Sequence, residues 1–368
     1  MHRHHLDQRA PAGNMLAVVS RLCGLHAQVL SSAELSVCVR AEGLDRMAVQ
    51  HALWTDRTLI KTWAMRGTLH LLPANELPLW HAVLSTSRRY LKPASWQKYF
   101  GITLEELDQL TGAIARALDG RVMTREEMGK EVVRLTGSAA LGAKLAESSW
   151  GTILKPAAFA GHLCFGPSLG QRVRFTRPDT WLKVARRRLG PQVEPEAAAA
   201  AVTRRFLAAY GPATYHDLAR WWNGGGVATA RQWIAALGDE VCPVELDGAP
   251  AWMLVSDARE MRDLPPARSV RLLPGFDQYV IGASYHAEHL IAGRLRSRVY
   301  RPQGWISPVL LVNGFMRGVW RHDIKGSRVE VVIEPFEKAP LWVRRAAGKE
   351  VERLAAFLGC TLRLVWKS

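Results

Sequence analysis

The chain has 368 residues, of which 48% are hydrophobic and 22% charged, and carries a formal net charge of +16. That length exceeds one ordinary core and predicts several compact units, and the apolar content excludes a disordered chain. A positive excess spread along a folded chain points to a polyanion partner, above all nucleic acid, and no apolar run reaches membrane-spanning length.

In chain order, a pattern of helices followed by a two-stranded ribbon recurs three times. The first unit is expected over residues 1–93. Apolar residues recur at helical spacing over 15–25 and 32–40, and a third helix is expected over 45–54 with Asp45 as its N-cap. Strand material follows over 61–72, with the stretch from Trp63 to Pro73 read as one strand crossing in front of the first helix's end. The second unit is expected over 101–178. Thr103 can cap a helix with Glu105 and Glu106 in its first turn, and Thr124 with Glu127 forms a capping-box pattern. A helical stretch over 148–159 then leads into a hairpin whose second strand alternates Arg172, Val173, Arg174 and Phe175. The third unit, 194–256, places helices over 197–210, 216–222 and 229–237, with Thr214 capping the middle one. A hairpin turning at Asp247-Gly248 closes it. Helix, helix, helix, ribbon is the layout of a winged helix-turn-helix, so the expected class is α+β with three such domains in series. Residues 268–340 read as short strands with an Asn313-Gly314 turn and predict a small β-barrel; a helix and a strand are expected over 341–368.

The chemistry is narrowed mostly by what is missing. There is no phosphate loop and no H-E-x-x-H, and the spacing of His286-Ala287-Glu288-His289 is wrong for a metal helix. His2, His4 and His5 are expected on a frayed terminus, and the glycines from Gly224 to Gly226 as a turn. No metal and no cofactor is therefore expected. The five cysteines form no C-x-x-C pair and suit a reducing compartment; residues 1–14 lack the apolar core of a signal peptide, so a cytoplasmic, monomeric protein is expected. Arg294, Arg296 and Arg298, two apart, read as a strand comb extended by Arg301 that suits a phosphate backbone, or as a solvated face; Arg172 and Arg174 form a smaller comb, and Arg186 to Arg188 a charge run.

Leu25-His26-Ala27-Gln28 is the most telling stretch. His26 and Gln28 sit just past an apolar helix, where an extended backbone puts both on one side. Together they can hold one water: the carboxamide donates and accepts, and a neutral imidazole accepts a proton. Alternatively His26 caps helix carbonyls and Gln28 satisfies a turn.

Four blocks give the chain a resemblance to a known family: Gly24-Leu25-His26-Ala27-Gln28, Arg66-Gly67-Thr68-Leu69-His70, Leu272-Leu273-Pro274-Gly275-Phe276-Asp277, and Gly304-Trp305-Ile306-Ser307-Pro308-Val309. In order and spacing they resemble the bacterial AlkZ/YcaQ DNA glycosylases. The resemblance implies a C-shaped molecule of tandem winged helices and a β-barrel around a channel for duplex DNA. It also implies hydrolysis of the N-glycosidic bond of alkylated purines, including bulky N7 adducts and crosslinks, in repair or in self-resistance to a genotoxin. The family carries glutamine, an apolar residue, then glutamine or aspartate at its catalytic position; here the matching residues are His26, Ala27 and Gln28, with histidine in the first place. Arg66 is expected to meet a phosphate near the lesion, and Asp277 to cap backbone amides in its turn. A non-enzymatic DNA-binding protein, a regulator or lesion sensor, is the competing expectation; RNA binding fits less well, because the basic residues lack aromatic interleaving.

Overall fold

The computed structural model describes residues 1–86, 93–147, 149–184, 193–246, 248–261, 268–283 and 290–367. The arginine run 186–188, the 286–289 stretch and Asp247 lie outside the described residues. The elements in order begin with α1 (Met15–Arg21), β1 (Leu25–His26), α2 (Leu30–Arg40), α3 (Arg46–Trp54), β2 (Leu59–Trp63), β3 (Leu69–Pro73), α4 (Leu77–Leu84) and α5 (Pro93–Phe100). They continue with α6 (Leu104–Ala117), β4 (Met123–Thr124), α7 (Arg125–Thr136), α8 (Ala139–Glu147), α9 (Lys155–Phe159), β5 (Cys164–Leu169), β6 (Arg172–Thr176) and α10 (Pro178–Leu182). Next are α11 (Pro195–Tyr210), α12 (Tyr215–Trp222), α13 (Gly226–Ala235), β7 (Val241–Leu246), β8 (Ala249–Leu254) and α14 (Val255–Glu260). The chain ends with β9 (Val270–Leu273), α15 (Gln278–Gly282), α16 (Arg296–Val299), β10 (Val309–Val312), β11 (Phe315–Lys325), β12 (Arg328–Pro335), α17 (Leu341–Leu358) and β13 (Thr361–Trp366).

The described chain is mixed α+β and packs as two compact units. One comprises Met1–His51, Arg205–Asp217 and Asp239–Ser368; the other comprises Ala52–Arg204 and Leu218–Gly238. The second unit shows why its helices start where they do. The Thr103 hydroxyl accepts from the Glu106 amide while the Glu106 carboxylate accepts from the Thr103 amide, and Thr124 and Glu127 repeat the pattern at α7. Each box satisfies two otherwise orphaned donors at a helix start. Short strand β4 pairs with β6 and β6 with β5, giving the sheet order β4-β6-β5. The expected single strand from Trp63 to Pro73 is instead an antiparallel hairpin, β2 with β3. Arg66 and Gly67 turn the chain at φ 58° and 65°, a reversal that an extended run cannot contain.

The first unit holds a five-stranded sheet of order β13-β12-β11-β10-β9. Its pairs are antiparallel except β12 with β13, which is parallel. Side-chain alternation gives the sheet two apolar faces. Val270, Leu272, Leu310, Trp320, Val331 and Ile333 pack against α17 and against Leu35 and Cys38 of α2. Leu273, Val309, Leu311 and Met316 turn the other way, onto Leu6, Val39, Val280, Ile291 and Val299. The barrel expected over 268–340 is thereby corrected. Among the described residues β9 and β13 are the two ends of an open sheet. With a layer on each face, apolar burial is complete without closure, and the last strand comes from the tail, beyond the segment assigned to the barrel. The Asn313-Gly314 turn is present between β10 and β11, with φ 52° and 87°, the two positive values a tight hairpin turn requires.

The amino terminus also departs from expectation. It is packed, not frayed: Leu6 and His4 are buried, His4 Nε2 donates to the Ala209 carbonyl at 3.0 Å, and the Arg3 guanidinium donates to the Gly211 carbonyl at 2.9 Å. The His4 ring meets Tyr210 and Tyr279 edge-on at 5.2 and 5.5 Å. An apolar residue and two aromatic partners outweigh the terminal position.

Candidate active site

The stretch carrying His26 is set by how α1 ends. The helix stops at Arg21, four residues before the expected end, because Cys23 and Gly24 take left-handed conformations with φ 58° and 89°. The Gly24 amide donates back to the Val19 carbonyl at 2.9 Å, a closure that turns the chain out of the helix and into β1. Two distant side chains hold the turn: the Tyr210 hydroxyl donates to the Leu22 carbonyl at 2.8 Å, and the Gln278 carboxamide donates to the Gly24 carbonyl at 2.7 Å. Beyond the turn the backbone is extended. Leu25 and Ala27 are wholly buried, His26 retains 7% exposure, and Gln28 is half-buried. His26 ends the two-residue strand β1, and the chain bends at Gln28, where the carboxamide is half-buried.

The face of His26 is covered by Phe276, whose ring stacks on the imidazole with centroids 5.0 Å apart and planes 16° apart. Phe276 sits at φ 60°, a conformation costing a non-glycine residue roughly 1–2 kcal/mol. The neighbours explain how that cost is met. Gly275 lies against the Ile306 carbonyl so closely that a Cβ there would be 3.0 Å from it. Asp277, on the other side, is fully buried and makes a two-pronged ion pair with the buried Arg40, at 2.7 Å from each of two guanidinium nitrogens. Its carboxylate also accepts from the Ser36 hydroxyl at 3.2 Å and the Tyr279 amide at 2.9 Å, starting α15. Asp277 therefore does cap an amide, as expected, and in addition locks the loop to α2. One loop, Gly275 to Gln278, thus stacks on His26, braces Gly24 and is pinned to Arg40.

Phe276 also lines a cleft of about 610 Å³ whose walls include Val29, Trp305, Trp320 and His322. The imidazole of His322 is stacked near the Trp320 ring at 5.5 Å, and burial lowers its pKa below the ordinary histidine value. Gln28 is followed directly by Val29, so the candidate segment runs into this cleft. Among the described residues there is no cluster of three or more histidine, cysteine or carboxylate groups able to hold a metal ion.

A profile of the DNA glycosylase AlkZ-like family matches residues 19–357. The chain belongs to the AlkZ-like DNA glycosylase family. It is 38% identical over 362 residues, 98% of this chain and 94% of the relative, to a protein of Streptomyces sahachiroi named interstrand DNA cross-link repair glycosylase. The solved structure of the Streptomyces sahachiroi DNA glycosylase AlkZ superposes with a TM-score of 0.87 at 37% identity, covering 99% of this chain and 97% of that one.

In this AlkZ-like chain the predicted basic residues fall in four places. Arg294, Arg296 and Arg298 are not on a strand. Arg294 lies in a short helical turn and the other two in α16, so the three-residue comb is dissolved: a helix turns alternate residues to different sides. Arg298 donates to Glu334 at 2.7 Å, Arg296 lies over the Tyr300 ring at 5.1 Å, and Arg294 is exposed. Arg301 is exposed and lines the 610 Å³ cleft. Arg172 and Arg174 do share one face of β6. Arg172 is exposed, whereas the Arg174 guanidinium donates to the Pro167 carbonyl at 2.7 Å across the hairpin. Arg66, at its left-handed turn, lies 3.4 Å from His70 Nε2, while His70 Nδ1 faces the Thr68 carbonyl at 3.0 Å. That arrangement selects the tautomer with the proton on Nδ1, leaving Nε2 to accept from Arg66.

Reading residue by residue missed Phe276, Gln278, Tyr210 and Arg40 as supports of the His26 segment. Phe276 follows Pro274-Gly275 in the sequence, and a bulky residue after Pro-Gly at a turn is a detectable sign of strain. No local pattern marks Tyr210 or Arg40, which reach the segment from elsewhere in the chain.

Proposed function

We propose that this glycosylase is monofunctional and hydrolyses the N-glycosidic bond of N7-alkylated purines in duplex DNA, with His26 and Gln28 handling the water. The observation that carries the proposal is that His26 and Gln28, two residues apart, follow a turn held by Gln278 and Tyr210, with Phe276 stacked on the imidazole. Alkylation at N7 makes guanine cationic, so its bond to C1′ breaks toward an oxocarbenium-like sugar without strong acid. Gln28 holds the water and His26 takes its proton; the oxygen bonds to C1′ while the electron pair of the broken bond returns to the purine and cancels its charge. The imidazolium then releases the proton to solvent. A carboxylate nucleophile is unnecessary because the leaving group supplies the driving force. The Streptomyces sahachiroi relative is named for interstrand cross-links, and a bis-alkylated purine pair presents the same cationic leaving group, so unhooking of cross-links belongs to the same proposal.

We further read the chain as three tandem winged helices gripping the DNA backbone. Supporting this are the orders α1-β1-α2-α3-β2-β3, α6-β4-α7-α8-β5-β6 and α11-α12-α13-β7-β8. In the second, the sheet order β4-β6-β5 puts the last strand in the centre, as a wing demands. Arg66, Arg172, Arg174, Arg294, Arg296, Arg298 and Arg301 are the proposed phosphate contacts, sequence-independent in character. The protein would act as a monomer in the cytoplasm, where its five free thiols, three of them buried, stay reduced.

The test is base release from duplex DNA bearing an N7-alkylguanine. Gln28→Ala is expected to lower the single-turnover rate by about 100-fold, in the range of a positioned acid–base group, with duplex affinity nearly unchanged. Undiminished release by Gln28→Ala would remove this residue from the mechanism, and failure of the wild-type protein to release any N7-alkylated base would favour a DNA-binding role without catalysis.

A further inference from the structure

The cleft beside the His26 segment has no part in the water chemistry just described, yet its make-up is specific. Seven of its walls are flat or rigid: the rings of Phe276, Trp305, Trp320 and His322, and the prolines 274, 302 and 308. Trp305 is 49% exposed although it is among the largest apolar side chains of the protein. It stands on a loop bent by two consecutive left-handed residues, Gln303 at φ 60° and Gly304 at φ 77°, and closed by the Arg301 amide donating to the Trp305 carbonyl at 2.8 Å. A loop so constrained presents an indole to water at a cost in apolar exposure, which is recovered only when something covers it. The Trp305 ring lies 5.2 Å from Phe276, and Phe276 stacks on His26. A continuous row of rings thus leads from open cleft to the candidate catalytic imidazole.

We propose that this cleft receives the flat, apolar substituent carried on N7 of the target purine, stacked on Trp305 and Phe276. The proposal rests on the glycosylase reading above and adds the class of adduct. A volume of about 610 Å³ suits a substituent well beyond a methyl group. Ring and proline faces form much of the wall, which the polar side chains of Ser31, Ser32, Gln303 and Ser307 complete. Charge fits as well. Arg301, exposed on the same loop, can take a neighbouring phosphate while the adduct lies on Trp305, so one loop would read lesion and backbone together. Phe276 links occupancy to chemistry, because the ring that lines the cleft is the ring that orients His26.

The experiment compares duplexes carrying one N7-methylguanine, N7-benzylguanine or N7-(cyclohexylmethyl)guanine. Affinity is read by fluorescence anisotropy and base release is followed separately. Stacking of one ring predicts that the wild-type protein binds the benzyl duplex about tenfold more tightly than the methyl duplex. The cyclohexylmethyl duplex should fall between them, since it offers apolar area without a flat face. In Trp305→Ala the benzyl-to-methyl affinity ratio should collapse toward one, and Trp305→Phe should restore most of it. Equal wild-type affinity for the benzyl and methyl duplexes, or a ratio unchanged in Trp305→Ala, overturns the proposal. Absence of base release from every duplex with the affinity ratio intact would instead sink the glycosylase reading and leave the subsite standing.

Discussion

At the scale of the residue, the loop that covers His26 is pinned by one buried charge pair. Arg40 and Asp277 are both fully buried, and their two-pronged contact has to offset the desolvation of two ions. Removing one partner leaves an uncompensated charge in the interior, so Asp277→Ala is expected to destabilise the protein by about 3–5 kcal/mol in chemical denaturation. An Arg40→Met, Asp277→Leu double variant should lose markedly less than the sum of the single changes, because no charge is stranded. If the double loss equals the sum, the pair is not coupled and the loop is held by other means. A folded double variant is informative about position too: its melting temperature can recover while base release stays low, because Phe276 would have lost its anchor. Asp277 is a positioning residue, acting on the His26 segment through the Phe276 ring and the Gln278 brace on Gly24.

At the scale of the element, the amino-terminal segment is the least expected part of the fold. It carries charged and ionisable groups, yet Leu6 packs on one face of the sheet and His4 is buried beside Tyr210 and Tyr279. Burial drives the His4 pKa well below 6.5, and the nearby positive charges of Arg40 and the terminal amine push the same way. The unfolded chain therefore takes up this proton first as pH falls. The stabilisation is complete above about 6.5 and is lost progressively as pH drops from there toward the folded-state value. The melting temperature should accordingly fall between pH 7 and pH 5. His4→Leu should be less stable at pH 8, having lost the contact to the Ala209 carbonyl, but should show a shallower acid slope. An unchanged slope would assign the acid sensitivity to other groups, of which His5 and His322 have pKa values lowered by burial in the same sense.

At the scale of the whole molecule, the governing quantity is the net charge of +16, which makes duplex binding dependent on counterion release. Log affinity should fall linearly with log salt, and each true phosphate contact removed should reduce the slope by about one. Arg294→Ala and Arg301→Ala test this directly, since both residues are exposed. Arg298→Ala should change the slope less, as its guanidinium already serves Glu334. A slope unaltered by Arg294→Ala and Arg301→Ala together would move the DNA contact elsewhere.

What the chain declared by itself was local and periodic. Capping boxes at Thr103 and Thr124, the Asp45 cap and the Asn313-Gly314 turn each depend on residues a few positions apart, and each is present. Family membership was also legible, because motif order survives where pairwise contacts cannot be seen. The sheet's closure was not legible: the choice between barrel and open sheet lies with α17 and β13, far along the chain, which cover one face and supply an end strand. Nor was the arginine comb, since a strand and a short helix share the same spacing in one dimension and separate only when Val299 is drawn into the core. Tertiary structure alone decided what surrounds His26. Tyr210, Phe276 and Gln278 lie some 180 to 250 positions away, and only burial of their apolar surface brings them to it.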